Sequence, residues 1–211
     1  MTFLKKLHSN YSIFPAKPNK SPAVRSWTPY RTKKIVFEQL EGHEFFGLCC
    51  GFEQLEVIDV DNHFDDADEL FKYIADNFNL DEFPVVKTGG GGYHIYYKCE
   101  NIQGNTKLAQ RINAKGRPET LVETRGVGGY VIAPPSKGYE VIQGDLFECP
   151  TITIEQRREI LGICRSLNEV EKEKAPEQIN NSTGSDISPG DAYNADLTNV
   201  AETISLLRTH G

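Results

Sequence analysis

The chain has 211 residues, 38% hydrophobic and 25% charged, with a formal net charge of −7. That length suits one catalytic-sized domain with a core of its own plus a tail, and no apolar run approaches the ~18 residues of a membrane span. The N-terminus carries Lys5 and Lys6 but no apolar stretch or cleavage site, which excludes a secretory signal and predicts a cytoplasmic protein.

Five cysteines (Cys49, Cys50, Cys99, Cys149 and Cys164) include no CxxC pair and no histidine at zinc-ligand spacing. They read as reduced, partly buried small hydrophobes. The acidic balance alone argues against a nucleic-acid binder, but its distribution does not. Between residues 1 and 40 stand Lys5, Lys6, Lys17, Lys20, Arg25, Arg31, Lys33 and Lys34 against Glu38 alone. A second basic segment, residues 101 to 137, holds Lys107, Arg111, Lys115, Arg117, Arg125 and Lys137. Acid collects between them and in the tail, so two basic segments can flank an acidic centre.

In chain order, residues 12 to 36 mix four prolines with lysines and Trp27 and predict a loop-rich opening. Phe45–Cys50 and Leu55–Asp61 read as two strands around Gly51 in a hairpin-like pattern. A helix is expected next, with Asp65 and Asp66 at its start and Ala67, Leu70, Phe71, Ile74 and Phe78 on one apolar face. Phe83–Lys87 and Tyr93–Lys98 are strand-like around Gly89–Gly92, and Leu121–Arg125 pairs with Gly129–Ala133 around Gly126–Gly128. Ile152–Leu167 reads as a helix with Ile154, Ile160, Leu161 and Cys164 buried. Residues 169–190 have a linker's composition, and Leu197–Leu207 is a candidate terminal helix. Hairpin-linked strands with few helices predict an α+β fold with a mainly antiparallel sheet.

Three segments carry chemistry. In Val57-Ile58-Asp59-Val60-Asp61 the two-residue period of a strand puts both carboxylates on one face, an arrangement suited to hard cations such as Mg²⁺ or Mn²⁺; a strand ending in a solvated turn reads the same. Lys87-Thr88-Gly89-Gly90-Gly91-Gly92-Tyr93-His94 offers backbone amides that can approach a phosphate, followed by His94 and Tyr96 on one face. A flexible hairpin turn is the plain alternative. In Leu121-Val122-Glu123-Thr124-Arg125, Glu123 and Arg125 share a face and supply a third carboxylate and a guanidinium; a surface salt bridge is the plain alternative there. Trp27 is either core or a base-stacking platform.

The ordered set VIDVD, TGGGGYH and VETRGVGGYVIAPPS resembles the bifunctional primase-polymerase domain of the archaeo-eukaryotic primase superfamily, common in phages, plasmids and other mobile elements. The stretch from Ile13-Phe14-Pro15 through Lys20, Pro22 and Trp27 is similar to that family's opening, as is Phe46–Gly51, so the likeness spans roughly residues 12 to 140. It implies an RRM-like catalytic sheet with flanking helices and an N-terminal αβ unit, and a DNA-templated nucleotidyltransferase using two ions of Mg²⁺ or Mn²⁺. Asp59, Asp61 and Glu123 match the metal and catalytic positions, Glu123 standing where many members have Asp. His94 matches the nucleotide-phosphate contact; Arg125, Gly91, Gly92 and Lys87 are expected to assist. Partners are single-stranded DNA template, primer strand and NTP or dNTP, with Tyr96 or Tyr130 candidates for sugar selection.

Ser188–Asn194 resembles the segment that follows the primase module in helicase-linked members. The expected organisation is a catalytic domain over 1–168, a linker over 169–190, and over 191–211 the start of a segment belonging to a longer primase-helicase. Two alternatives stand beside this reading: a metal-dependent nuclease using the same carboxylates, and a non-catalytic template- or origin-binding module.

Overall fold

Helix α1 (Phe3–Asn10) starts where the Thr2 hydroxyl accepts a hydrogen bond from the Lys5 amide, 3.3 Å away, and it drives Leu7 fully into the core. The computed structural model describes residues 1–170, so all but the first two residues of the expected linker, and the whole terminal segment, lie outside the described residues. After α1 come strands β1 (Ile13–Ala16), β2 (Phe45–Cys49) and β3 (Leu55–Val60), helix α2 (Ala67–Asn77), and strands β4 (Val85–Lys87) and β5 (Tyr93–Lys98). Strands β6 (Thr106–Ile112), β7 (Pro118–Arg125), β8 (Tyr130–Ala133) and β9 (Glu140–Gln143) follow, then helix α3 (Ile154–Ser166). This is the expected α+β class.

Two antiparallel sheets result. The larger has the order β6-β7-β3-β5-β4-β9 and the smaller β1-β2-β8. The large sheet separates two cores: Ile58, Val60 and Ile95 pack with Leu70 and Ile74 of α2 and Ile160, Leu161 and Cys164 of α3. On its other face Val57, Val86 and Tyr96 pack with Leu7, Ile13, Leu48 and Val131 of the N-terminal layer. β3 is therefore buried on both faces, with apolar residues at four of its six positions and Glu56 and Asp59 at the other two.

Two expected hairpins are not hairpins. β2 and β3 belong to different sheets, because Gly51 at φ +84, Glu53 at φ +49 and Gln54 at φ +64 redirect the chain between them. Likewise β7 and β8 part at Gly126–Gly129, and only β4–β5 pairs as expected. The proline-rich opening holds β1 and a short 3₁₀ turn at Thr28–Arg31. Phe78 lies just past the end of α2, and Ile154, expected to be buried, is 37% exposed in the first turn of α3. That helix begins with a reciprocal cap: Gln156 N–H donates to the Thr153 hydroxyl and Thr153 N–H to the Gln156 side chain.

One charged group is sealed among the helices. Glu56 is wholly buried, accepts two hydrogen bonds from Arg157 at 2.6 and 2.8 Å, and a third from the Tyr97 hydroxyl at 2.5 Å. The five cysteines are free, four of them buried. Among the described residues no helix is long and apolar enough to cross a membrane.

Candidate active site

Strand register assembles the site. Across three neighbouring strands Asp59 of β3 stands opposite Glu123 of β7 on one side and His94 of β5 on the other. Directly opposed residues share a face, so all three project toward the N-terminal layer beyond the edge of its apolar packing. Two residues along, Val57 stands between Arg125 and Tyr96. Asp61 follows β3, its amide still bonded to the Leu121 carbonyl at 2.9 Å.

Asp59, Asp61 and Glu123 each place a carboxylate oxygen within 4.8 Å of the others, the one such His/Cys/Asp/Glu cluster among the described residues. The Arg125 guanidinium bridges two of them, at 3.2 Å from Asp59 and 2.5 Å from Glu123, and His94 Nε2 is 3.4 Å from Asp59. Burial alone raises the Asp59 carboxyl, but His94 and Arg125 together outweigh it and hold the group below its ordinary value. Asp61 goes the other way: burial and then the Asp59 charge push it up, and the nearest basic side chain, His63, is half exposed and 3.9 Å away. Glu123 is also raised, by burial first, against the pull of Arg125. Three convergent hard oxygen donors whose negative charge exceeds that of the one guanidinium among them fit a divalent cation.

A cavity of about 300 Å³ opens over the cluster, lined by Asp59, Asp61, His94, Arg125, Gly90 and Gly92 among others. The glycine loop is held shut on itself, with Thr88 N–H donating to Gly92 O and Gly92 N–H to the Thr88 hydroxyl at 3.0 Å. Gly92 has no room for a side chain, since a Cβ would stand 2.2 Å from the Val60 carbonyl oxygen. Close approach to the end of β3, beside the acids, is what this glycine permits.

Not every expected residue reaches the cavity. Lys87 is turned to the helix face, 2.6 Å from Asp68 and 3.8 Å above the Tyr93 ring. Gly91, at φ +85, serves the turn and packs against Asn62 rather than lining the cavity. Tyr96 is wholly buried, so of the two tyrosines considered for sugar selection only Tyr130 borders the cavity. The Tyr96 hydroxyl instead sits 3.3 Å from His94 Nδ1. Trp27 is partly buried, packing 5.1 Å from the Tyr130 ring and 5.6 Å from the Phe14 ring, and it lines the cavity.

Lys20, Thr88, Asn105 and Tyr139 line the cavity without having been singled out for it. Lys20 gets there through a left-handed backbone, φ +68, with its carbonyl accepting from the Tyr130 hydroxyl at 3.1 Å. The Asn19-Lys20 turn between prolines was its only local signal. Asn105 accepts from the Gly126 amide at 3.2 Å and pins the turn that ends β7. Tyr139, its ring centre 6.1 Å from that of His94, closes the far side and has no sequence signal.

No curated protein matches the chain. A family model, Bifunctional DNA primase/polymerase, N-terminal, matches residues 4–152, which contain every strand and every acid of the cluster. With that match across most of its length, the chain belongs to the bifunctional DNA primase/polymerase family, enzymes that act on DNA and nucleotides.

Proposed function

We propose that this chain carries out templated nucleotidyl transfer at the Asp59–Asp61–Glu123 cluster, with His94 and Arg125 taking phosphate charge. The observation that carries the assignment is the register: Glu123, Asp59 and His94 lie in one cross-strand row, Asp59 and His94 lining the cavity and Glu123 joining Asp59 and Asp61 in the acid cluster beside it. In this reading the three carboxylates hold two ions of Mg²⁺ or Mn²⁺, which when bound acidify the primer 3′-hydroxyl and offset charge on the departing pyrophosphate. His94 lines the cavity with its Nε2 3.4 Å from Asp59, and a hydrogen-bond donor there would offset charge on an incoming triphosphate. Its other nitrogen is held by Tyr96, whose hydroxyl burial keeps protonated well above ordinary pH, so the ring orientation is fixed before substrate arrives.

Arg125 neutralises Asp59 and Glu123 in the free site and stands ready to turn its fork to phosphate as cations take the carboxylates. Gly90 and Gly92 offer backbone at the same wall, while Lys87 and Gly91 act through the shape of the loop. Trp27 and Tyr130 give a base or sugar an aromatic surface. A nuclease would have no use for this loop or wall, and a pure DNA binder no use for three adjoining carboxylates. The large sheet with α2 and α3 on one face corresponds to the RRM-like element. We extend the reading to a cytoplasmic enzyme from a mobile element, its catalytic domain over 1–168 joined by a 169–190 linker to a helicase in a longer chain or acting in trans.

The test is primer extension, and de novo synthesis on single-stranded DNA, with labelled NTPs or dNTPs and Mn²⁺ or Mg²⁺. The Asp59→Ala/Asp61→Ala double variant should bind DNA yet make no product. Product equal to wild type would overturn the assignment, and shortened substrate would favour a nuclease.

A further inference from the structure

The turn that separates β7 from β8 has two sides. Gly128 lines the acid cavity on one side and, on the other, a second concavity of about 470 Å³ whose walls are Thr28, Arg31, Thr32, Gly51 and Val127. Two glycines clear its floor. A Cβ on Gly128, at φ +82, would stand 2.9 Å from Arg31 Nη2 and 3.3 Å from its Cζ, so the guanidinium lies directly on the turn. A Cβ on Gly51, at φ +84, would stand 2.8 Å from Val127 Cα, which brings the β2–β3 connection against the same turn.

Arg31 is exposed, its guanidinium lying against the turn, and it differs from the arginines that meet carboxylates. Arg111, Arg125 and Arg157 are each paired with Asp or Glu, whereas among the described residues Arg31 pairs with none. Thr28 and Thr32 stand at either end of its short 3₁₀ turn, exposed at the rim, with side-chain hydroxyls unengaged among the described residues. A guanidinium with no acidic partner, beside two hydroxyls able to donate, matches a phosphate's oxygens, and its charge repels a cation.

We propose that this concavity seats a phosphate of the DNA backbone, with Arg31 as the charged contact and Thr28 and Thr32 as hydrogen-bond donors. The inference rests on the reading that nucleotidyl transfer occurs in the adjoining cavity. Because one glycine forms the wall of both, a strand held at Arg31 passes the acids at the distance of a single turn. That gives the −7 chain a local cationic hold on a polyanion where it is needed, without a broadly basic surface.

Fluorescence anisotropy of the full chain with a labelled oligodeoxythymidylate, across a salt series, reads the site directly. Each phosphate contact contributes about 0.7 to the slope of log affinity against log salt for a single strand. Arg31→Ala should flatten the slope by about that amount and weaken binding about tenfold, leaving the KM for nucleotide in primer extension unchanged. Arg31→Lys should keep the slope and lose part of the affinity, and Thr28→Val/Thr32→Val should lose affinity without touching the slope. These last two read the site even if Arg31→Ala fails to fold. An unchanged slope in Arg31→Ala, or an Arg31→Lys and threonine pair both at wild-type affinity, would overturn the proposal. A raised nucleotide KM with normal DNA binding would also overturn it and assign the concavity to the nucleotide's own phosphates. If the wild-type chain itself failed to bind the oligonucleotide, the broader reading would fall rather than this site alone.

Discussion

Asp61→Asn separates the cost of the acid cluster from its use. Carboxylate oxygens within 4.8 Å of one another repel by about 3.5 kcal/mol or more per pair at an effective dielectric of ~20. Asp59 recovers most of this through Arg125 and His94, whereas the one side chain within ion-pair reach of Asp61 among the described residues is half-exposed His63 at 3.9 Å. Its carboxyl is accordingly held above its ordinary value by burial and by Asp59. With about 1 kcal/mol of the repulsion surviving, the neutral amide should raise the metal-free melting temperature by about 2–4 °C at pH 7.

The sign with pH follows from linkage. A carboxyl raised in the folded state favours folding while protonated, and that advantage is lost as pH climbs through the folded value. The gain of Asp61→Asn over wild type should therefore vanish in acid, below the ordinary aspartate range, and be complete at neutrality. Calorimetry in EDTA and again with saturating MnCl₂ checks both halves. Wild type should gain about 2.7 kcal/mol at a hundredfold excess over Kd, and Asp61→Asn much less. A lower melting temperature for the variant in EDTA, or equal stabilisation of both proteins by Mn²⁺, would refute the reasoning.

Two further outcomes follow from the contacts around the site. Tyr96→Phe removes only the hydroxyl that holds His94 Nδ1, so it should raise the nucleotide KM about threefold to tenfold while leaving DNA affinity and stability nearly unchanged; steady-state extension against nucleotide concentration measures it, and a change confined to stability would make Tyr96 a core residue only. Arg157→Met strands the wholly buried Glu56 without its partner and should cost about 3–5 kcal/mol in urea unfolding, most of it recovered by adding Glu56→Met; a single-variant loss below ~1 kcal/mol would contradict the pairing.

How far the sequence can be read is set by the range of the interactions involved. Asp59 and Asp61 were legible because a strand repeats every two residues, and His94 and Glu123 because each sits in a short run of strand formers. What local pattern does not contain is parity between strands. Val86 is the partner of His94, so Lys87 joins Tyr93 on the helix face and does not line the cavity, although it is only seven positions from His94 along the chain. Gly51 and Gly126–Gly129 carry the same local signal as a hairpin turn, yet each connects two different sheets. β6 and β9 escaped notice because their partly exposed, polar-rich strands have a weak apolar alternation. Lys20 stood out only as one of eight basic residues and as part of the family-like opening, because the left-handed backbone that brings it to the cavity has no clear local signature.

The strand order β7-β3-β5 also has a consequence in time. Asp59 meets His94 through a neighbour made soon after it, but Glu123 lies 64 positions downstream (123 − 59) and enters only when β7 docks on the far side of β3. At synthesis rates of ~5–20 residues per second, an emerging chain carries its first acids for about 3–13 s before the third leaves the ribosome. Over that interval the nascent protein has a central strand with one edge unpaired and a cation site short of one donor, so the capacity to handle metal and nucleotide arrives together with closure of the sheet rather than ahead of it.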